Sequence, residues 1–195
     1  MEFKKFVFLY PIPEIINFEI KNNGWSEKGG IDAFRKKYSN LLNKCIDRRY
    51  RKKGFEINYA VFNGSTVSEI IKLQSTDKII EVGINFKMHT IKQPNGEYFY
   101  PSQDYILNQL GKVKIIRIAG FHMWDCVEKL AKRAHERKIN VLVDEDLTEF
   151  FSWRIGDRDF KISKYPTYNA KKHQGNMFEY FMKAREQRPW LWQNY

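Results

Sequence analysis

The sequence predicts a three-layer α/β protein: a mainly parallel sheet with helices on both faces, followed by an irregular C-terminal extension. Three observations carry that prediction. Short, continuously apolar runs recur along the first 146 residues, as strands buried on both faces require. Helical patterns separate those runs at least four times, the alternation that builds parallel crossovers. After Asp146 the alternation stops.

The first run, "KFVFLY" (Lys5–Tyr10), is ended by Pro11 and Pro13 and reads as a buried strand. From Ile31 to Lys53 the text is helical: Ile31, Phe34, Tyr38, Leu41, Leu42, Cys45 and Ile46 draw one apolar stripe. Arg48, Arg49, Arg51, Lys52 and Lys53 crowd its last turn, where cations suit the helix dipole, and Gly54 stops it. Residues 55–62 and 78–86 read as the second and third strands, with a turn and a short helix over Thr66–Leu73 between them. A loop over Lys87–Pro101 and a helix over Ser102–Leu110 lead to "KVKIIRIAG", the fourth strand, and a further helix leads to "INVLVDED", the fifth. Beyond it come an edge hairpin or irregular excursion, a loop, a final helix over 177–187, and the aromatic tail "RPWLWQNY". The chain reads as one domain over 1–195. Residues 1–146 form its core, and residues 147–195 pack on that core or on a second subunit.

Hydrophobic residues at 43% and charged residues at 29% exclude a disordered chain. No apolar run is long enough to cross a bilayer, and the start is too short and too proline-broken for a secretory leader, so a cytoplasmic protein without a membrane partner is expected. Two cysteines, Cys45 and Cys126, make no disulfide framework. The net charge of +11 suits nucleic acid, a nucleotide or an acidic partner, although a solvated lysine-rich face accounts for most of it.

In open α/β sheets ligands sit at the carboxyl ends of strands. Gly120 ends strand four and the turn "FHMWD" follows, which makes Phe121, His122, Met123 and Trp124 the candidate substrate-binding residues. Asp125 reads as an N-cap with Glu128 as its capping-box partner, leaving Cys126 as the first helical residue. A thiol there is either a nucleophile favoured by the helix N-terminus or a small side chain buried at a crowded turn. His122 and Cys126 stand four apart but lack a second pair, so no metal is expected. Asp144, Glu145 and Asp146 would either hold Mg²⁺ or cap a following helix. No phosphate-binding glycine loop is present, and no cofactor is expected.

The stretch "IIRIAGFHMWDCVEKLAKRAHERKINVLVDED" resembles the isochorismatase-like cysteine hydrolases, a group that includes nicotinamidases. The shared pattern is a strand, Gly120, a turn of five residues, Cys126 and Val127 opening a helix, and a strand ending in acidic Asp146. It is specific over about 45 residues and loose over the first 85. The resemblance implies a six-stranded parallel sheet in Rossmann-like order, frequent homo-oligomers and an Asp–Lys–Cys triad whose thiolate attacks a carbonyl carbon. Cys126 would be the nucleophile, and Lys87 or Lys92 the assisting lysine. The strand-one acid has no counterpart: Tyr10 falls at its place, and Glu14 follows only after both prolines. The metal-binding Asp and His residues of nicotinamidases have no counterpart either. Two functions follow. One is a cysteine-dependent hydrolase of a small-molecule amide or related C–N bond. The other is a non-catalytic binding protein of the same fold, holding an anionic ligand, nucleotide or nucleic acid.

Overall fold

The computed structural model describes residues 3–22, 30–149, 160–165 and 178–191. Five strands form one sheet: β1 (Lys4–Leu9), β2 (Glu56–Val61), β3 (Lys78–Glu81), β4 (Ile115–Gly120) and β5 (Asn140–Thr148). They are all parallel, in the order β3-β2-β1-β4-β5. The chain winds outward from β1 through β2 to β3, then returns to the other side of β1 for β4 and β5. The carboxyl ends of β1 and β4 therefore flank the topological switch point, where an open sheet of this kind leaves a crevice. Strand burial is nearly continuous, with Phe6, Val7, Phe8 and Leu9 of β1 fully buried, because helices cover both faces.

Among the described residues six helices accompany the sheet. α1 (Pro13–Asn22) starts with proline, whose fixed φ suits a first helical residue, and α2 is Gly30–Cys45. The single turn α3 (Phe86–His89) is capped by Asn85, which accepts from Met88 N at 2.9 Å. α4 (Gln103–Gln109) is capped by Ser102, and α5 (Glu128–Glu136) packs on α4 and β5; α6 is Phe178–Glu186. Residues 66–73, expected to be helical, are turns instead. Their backbone is already satisfied by α2 side chains: Ser39 and Asn43 donate to Ile70 O at 2.7 Å each, and Asn43 Oδ1 accepts from Lys72 N at 2.8 Å.

The long helix expected to reach Lys53 ends as α2 at Cys45, then passes through a π turn (Ile46–Tyr50) and a 3₁₀ turn closed by Gly54 at φ 77°. The wider turn carries Arg49 inward. Its guanidinium donates to Asp144 at 3.1 Å and Asp146 at 2.9 Å, and to the carbonyls of Lys161 and Ile162, while Tyr50 donates to Asp144. Arg49 is 1% exposed, so this member of the basic run is a buried ion partner rather than a solvated dipole cap. Asp144 and Asp146 face that arginine inside β5, which runs on to Thr148. They neither cap a helix nor stand open to Mg²⁺.

Past β5, the Tyr165 hydroxyl donates to Val143 O at 2.7 Å, and Val143 N donates to Trp190 O at 2.8 Å. Trp190 and Leu191 are buried in the same core cluster as β1, and Arg185 and Arg188 pair with Glu145 and Glu128. The expected excursion over 150–159 and loop over 166–177 lie outside the described residues. No helix among the described residues is long and apolar enough to cross a membrane.

Candidate active site

Three chain crossings build the site at the carboxyl ends of β1, β4 and β5. Leu9 O accepts from Phe121 N at 3.1 Å, and Gly120 O accepts from Glu149 N at 2.8 Å, stitching the three strand ends together. Only glycine fits at position 120. Its φ is +126°, and a β-carbon there would lie 2.3 Å from Leu9 O. Just beyond, Tyr10 (φ 60°) and His122 (φ 65°) both occupy the left-handed region, which costs a side-chain-bearing residue on the order of 1–3 kcal/mol.

His122, not Asp125, precedes the helical turn. That turn, Met123–Val127, is π-type, with Val127 N donating to His122 O at 3.1 Å, and α5 continues from it. The capping box expected from Asp125 and Glu128 does not form, because the chain already turns at His122. Glu149 takes over the capping, accepting from Met123 N at 2.8 Å, and Asp125 instead pairs with Lys129. Cys126 thus sits within the first turn rather than at its mouth, 5% exposed.

Around its sulfur stand an imidazole and a phenol. His89 Nε2 lies 3.8 Å from Cys126 Sγ, and His89 Nδ1 is 2.7 Å from Phe99 O. A carbonyl only accepts, so Nδ1 carries the hydrogen and the Nε2 lone pair faces the thiol. From the other element the buried Tyr10 phenol acts on the sulfur, lowering the thiol. The rings are stacked: Tyr10 on Phe62 at 4.5 Å, Phe62 on His89 at 5.1 Å, and His89 on His122 at 5.7 Å. Burial, reinforced by the Asp125 carboxylate, pushes the Cys126 thiol up to about 12, against the lowering effect of Tyr10 and Lys129. Burial likewise holds the Tyr10 phenol well above its ordinary value and, with His89 beside it, lowers His122.

A cleft of about 770 Å³ opens over this cluster. Apolar Ile15, Phe18, Phe86, Met123 and Trp124 supply most of its wall, and His89 and His122 its polar floor. Among the described residues, Glu14, Asp125 and Glu149 are its charged lining, with no lysine or arginine. Of the residues singled out in the sequence, Cys126 and Tyr10 are brought together, and His122, Met123 and Trp124 line the cleft. Phe121 is fully buried, edge-on to Phe8 at 6.0 Å, and does not line it. Lys87 and Lys92 are exposed, the latter 5.6 Å from the centroid of the Tyr98 ring, whereas the lysine whose charge acts on the sulfur is Lys129. Sequence reasoning missed His89. Its signal was position: it stands two residues after Lys87, in the segment searched for the assisting lysine.

Pyrazinamidase of Pyrococcus horikoshii, a structure determined in complex with zinc, aligns over 98% of this chain and 99% of its own, with a TM-score of 0.50 and 13% identity. The chain has an isochorismatase-like fold. Two further structures resemble it less closely. N-carbamoylsarcosine amidase from Thermoplasma acidophilum is 18% identical, with TM-score 0.45, over 76% of this chain and 84% of its own. MAR1 ribonuclease from Caenorhabditis elegans is 13% identical, with TM-score 0.46, over 98% and 77%. The sequence matches no protein-family model and no curated protein. Within the isochorismatase-like fold, the place after strand one holds Tyr10 here, and the groups gathered round the cysteine are phenol and imidazole.

Proposed function

We propose that this chain is a cysteine-dependent hydrolase of a small-molecule amide or related C–N bond, with Cys126 as nucleophile and His89 as its general base. The observation that carries the reading is the Phe99–His89–Cys126 alignment: a carbonyl orients an imidazole whose free nitrogen faces a thiol, the relation of orienter, base and nucleophile in acyl-transfer sites. The thiol rests protonated. As sulfur attacks the carbonyl carbon, Nε2 takes its proton while the Tyr10 hydroxyl stabilises the developing thiolate. The same proton then goes to the departing nitrogen as the C–N bond breaks, leaving a thioester. Water, deprotonated by His89, cleaves the thioester, releasing the acid and restoring the thiol. The carboxylate-lined, aromatic cleft suits a neutral or cationic planar substrate.

Incubation with a neutral aryl nitrile tests this. The thiol adds across the C≡N bond to give a thioimidate of summed mass on Cys126. The adduct rate is expected to fall at least 100-fold in His89→Asn, the lower range for a lost general base, and ammonia release from aryl amides is expected to vanish in Cys126→Ala. A Cys126 as inert to the nitrile as the buried Cys45 overturns the reading. The low exposure of Cys126 favours the second reading in that event: a binding protein of the same fold whose cleft holds a small ligand without turnover.

A further inference from the structure

The cluster round Cys126 has a property that the hydrolase reading does not use. His89 from α3, His122 from the end of β4 and Cys126 from the π turn converge from three separate segments. One ligand atom of each lies within 4.8 Å of the others. We propose that these three side chains form a binding site for a thiophilic divalent cation of the zinc type, with its fourth position open toward the cleft.

Four features support the assignment. First, zinc–sulfur and zinc–nitrogen bonds of about 2.3 and 2.0–2.1 Å set a tetrahedral S···N edge of roughly 3.6 Å; the Cys126 Sγ to His89 Nε2 separation is 3.8 Å. Second, His89 already has the outer-shell partner that metal-ligating histidines use: Phe99 O fixes its tautomer and leaves Nε2 free to ligate. Third, His122 is held in a left-handed conformation that costs stability, and that conformation sets its imidazole 5.7 Å from the ring of His89. Fourth, the cleft gives access from solvent, and its lining carboxylates, Glu14, Asp125 and Glu149, draw cations inward. A donor set of one thiolate and two imidazoles selects zinc, cobalt or copper over magnesium or calcium, which take oxygen. Binding exchanges the thiol proton for the metal, so one proton is released as the metal–sulfur bond forms. It also withdraws the nucleophile: cation binding and acylation of Cys126 exclude one another.

Cobalt(II) titration of the metal-free full chain reads the site without any substrate. The expected result is a sulfur-to-cobalt charge-transfer band and tetrahedral d–d bands that saturate at one equivalent and are abolished by one equivalent of zinc. The charge-transfer band is expected to vanish in Cys126→Ser and to persist in Cys45→Ala. His122→Asn is the informative partner, because asparagine tolerates the left-handed backbone and preserves the turn. Losing an outer-shell partner costs 10–100-fold in affinity, so losing this ligand is expected to cost at least about 100-fold. A protein without the band at stoichiometric cobalt overturns the proposal, as does a band that survives Cys126→Ser or an affinity unmoved by His122→Asn. A chain that forms the nitrile adduct on Cys126 yet shows no cobalt band refutes the cation site and leaves the hydrolase reading standing. A chain with the band and no adduct does the reverse.

Discussion

Replacing Gly120 with alanine is the sharpest perturbation the fold offers, because the added atom meets backbone on every side. A β-carbon at 120 would lie 2.3 Å from Leu9 O, 2.5 Å from Leu9 N and 2.8 Å from Leu9 Cα, where ordinary contacts begin at 3.4 Å. No flexible side chain can swing away; β1 and β4 must separate by roughly 1 Å, in an interior that tolerates little overpacking. Overpacking of this kind costs about 1–3 kcal/mol and a side chain at φ +126° about 1–3 kcal/mol more, so the variant is expected to lose about 2–6 kcal/mol. Total stabilities run about 5–15 kcal/mol, so the loss is a large fraction of the whole. With a urea slope of about 2–3 kcal/mol per molar, the unfolding midpoint is expected to fall by about 0.7–3 M. Pushing Leu9 also displaces Tyr10, whose effect lowers the thiol, so Cys126 is expected to react more slowly with iodoacetamide in the native protein. A midpoint within about 0.3 M of the parent, at unchanged slope, would refute the claim that the close approach of β1 and β4 demands glycine.

Arg49→Leu strands Asp144 and Asp146 in the interior and is expected to cost about 3–5 kcal/mol by urea unfolding; adding Asp144→Asn and Asp146→Asn is expected to recover much of that loss. Tyr10→Phe removes the hydroxyl that lowers the thiol and that the proposed mechanism sets against the developing thiolate. Hydrogen bonds to a charged group are worth about 1.5–3 kcal/mol, so formation of the nitrile adduct should slow by roughly 10- to 100-fold at unchanged fold; an unchanged rate removes Tyr10 from the chemistry. Burial raises the Glu149 carboxyl above its ordinary value, so the folded chain holds its proton to higher pH than the unfolded chain does, and the ionised group costs stability above the folded pKa. Glu149→Gln is therefore expected to be more stable than the parent at pH 7. The difference should close as pH falls through the folded value toward about 4.3; a gap that widens on acidification would contradict the assignment.

Strand positions were legible from the sequence because a strand buried on both faces is written as an uninterrupted apolar run, and "KFVFLY" and "IIRIAG" are such runs. Gly120 and Cys126 were legible for a related reason: a strand end followed by a tight turn and a helix leaves little choice of place. What periodicity could not convey was which polar groups leave solvent. Arg49 looks like every other cation of "RRYRKK" until the π turn rotates it onto β5. Asp125 has the chemistry of an N-cap, but the left-handed turn at His122 moves the start of the helix ahead of it. His89 reaches Cys126 from 37 residues away, through a loop whose path rests on Asn85 and Phe99 rather than on any repeat. Helix boundaries fail in the same way: residues 66–73 carry helical residues, but their backbone groups were already engaged by Ser39 and Asn43.

The bond from Val143 to the carbonyl of Trp190 also governs how the sheet meets other molecules. β5 is an outer strand, and an outer strand's free backbone groups are a template on which another chain can add. Here Val143 N is taken by Trp190, and Val143 O by Tyr165. On the opposite flank β3 spans only Lys78–Glu81 and is bounded by charge, the other common protection. The last turns of the chain thus act as a stopper against strand-by-strand accretion. A chain shortened ahead of Trp190 would present Val143 N–H to the next copy, at an edge remote from the chemistry at Cys126.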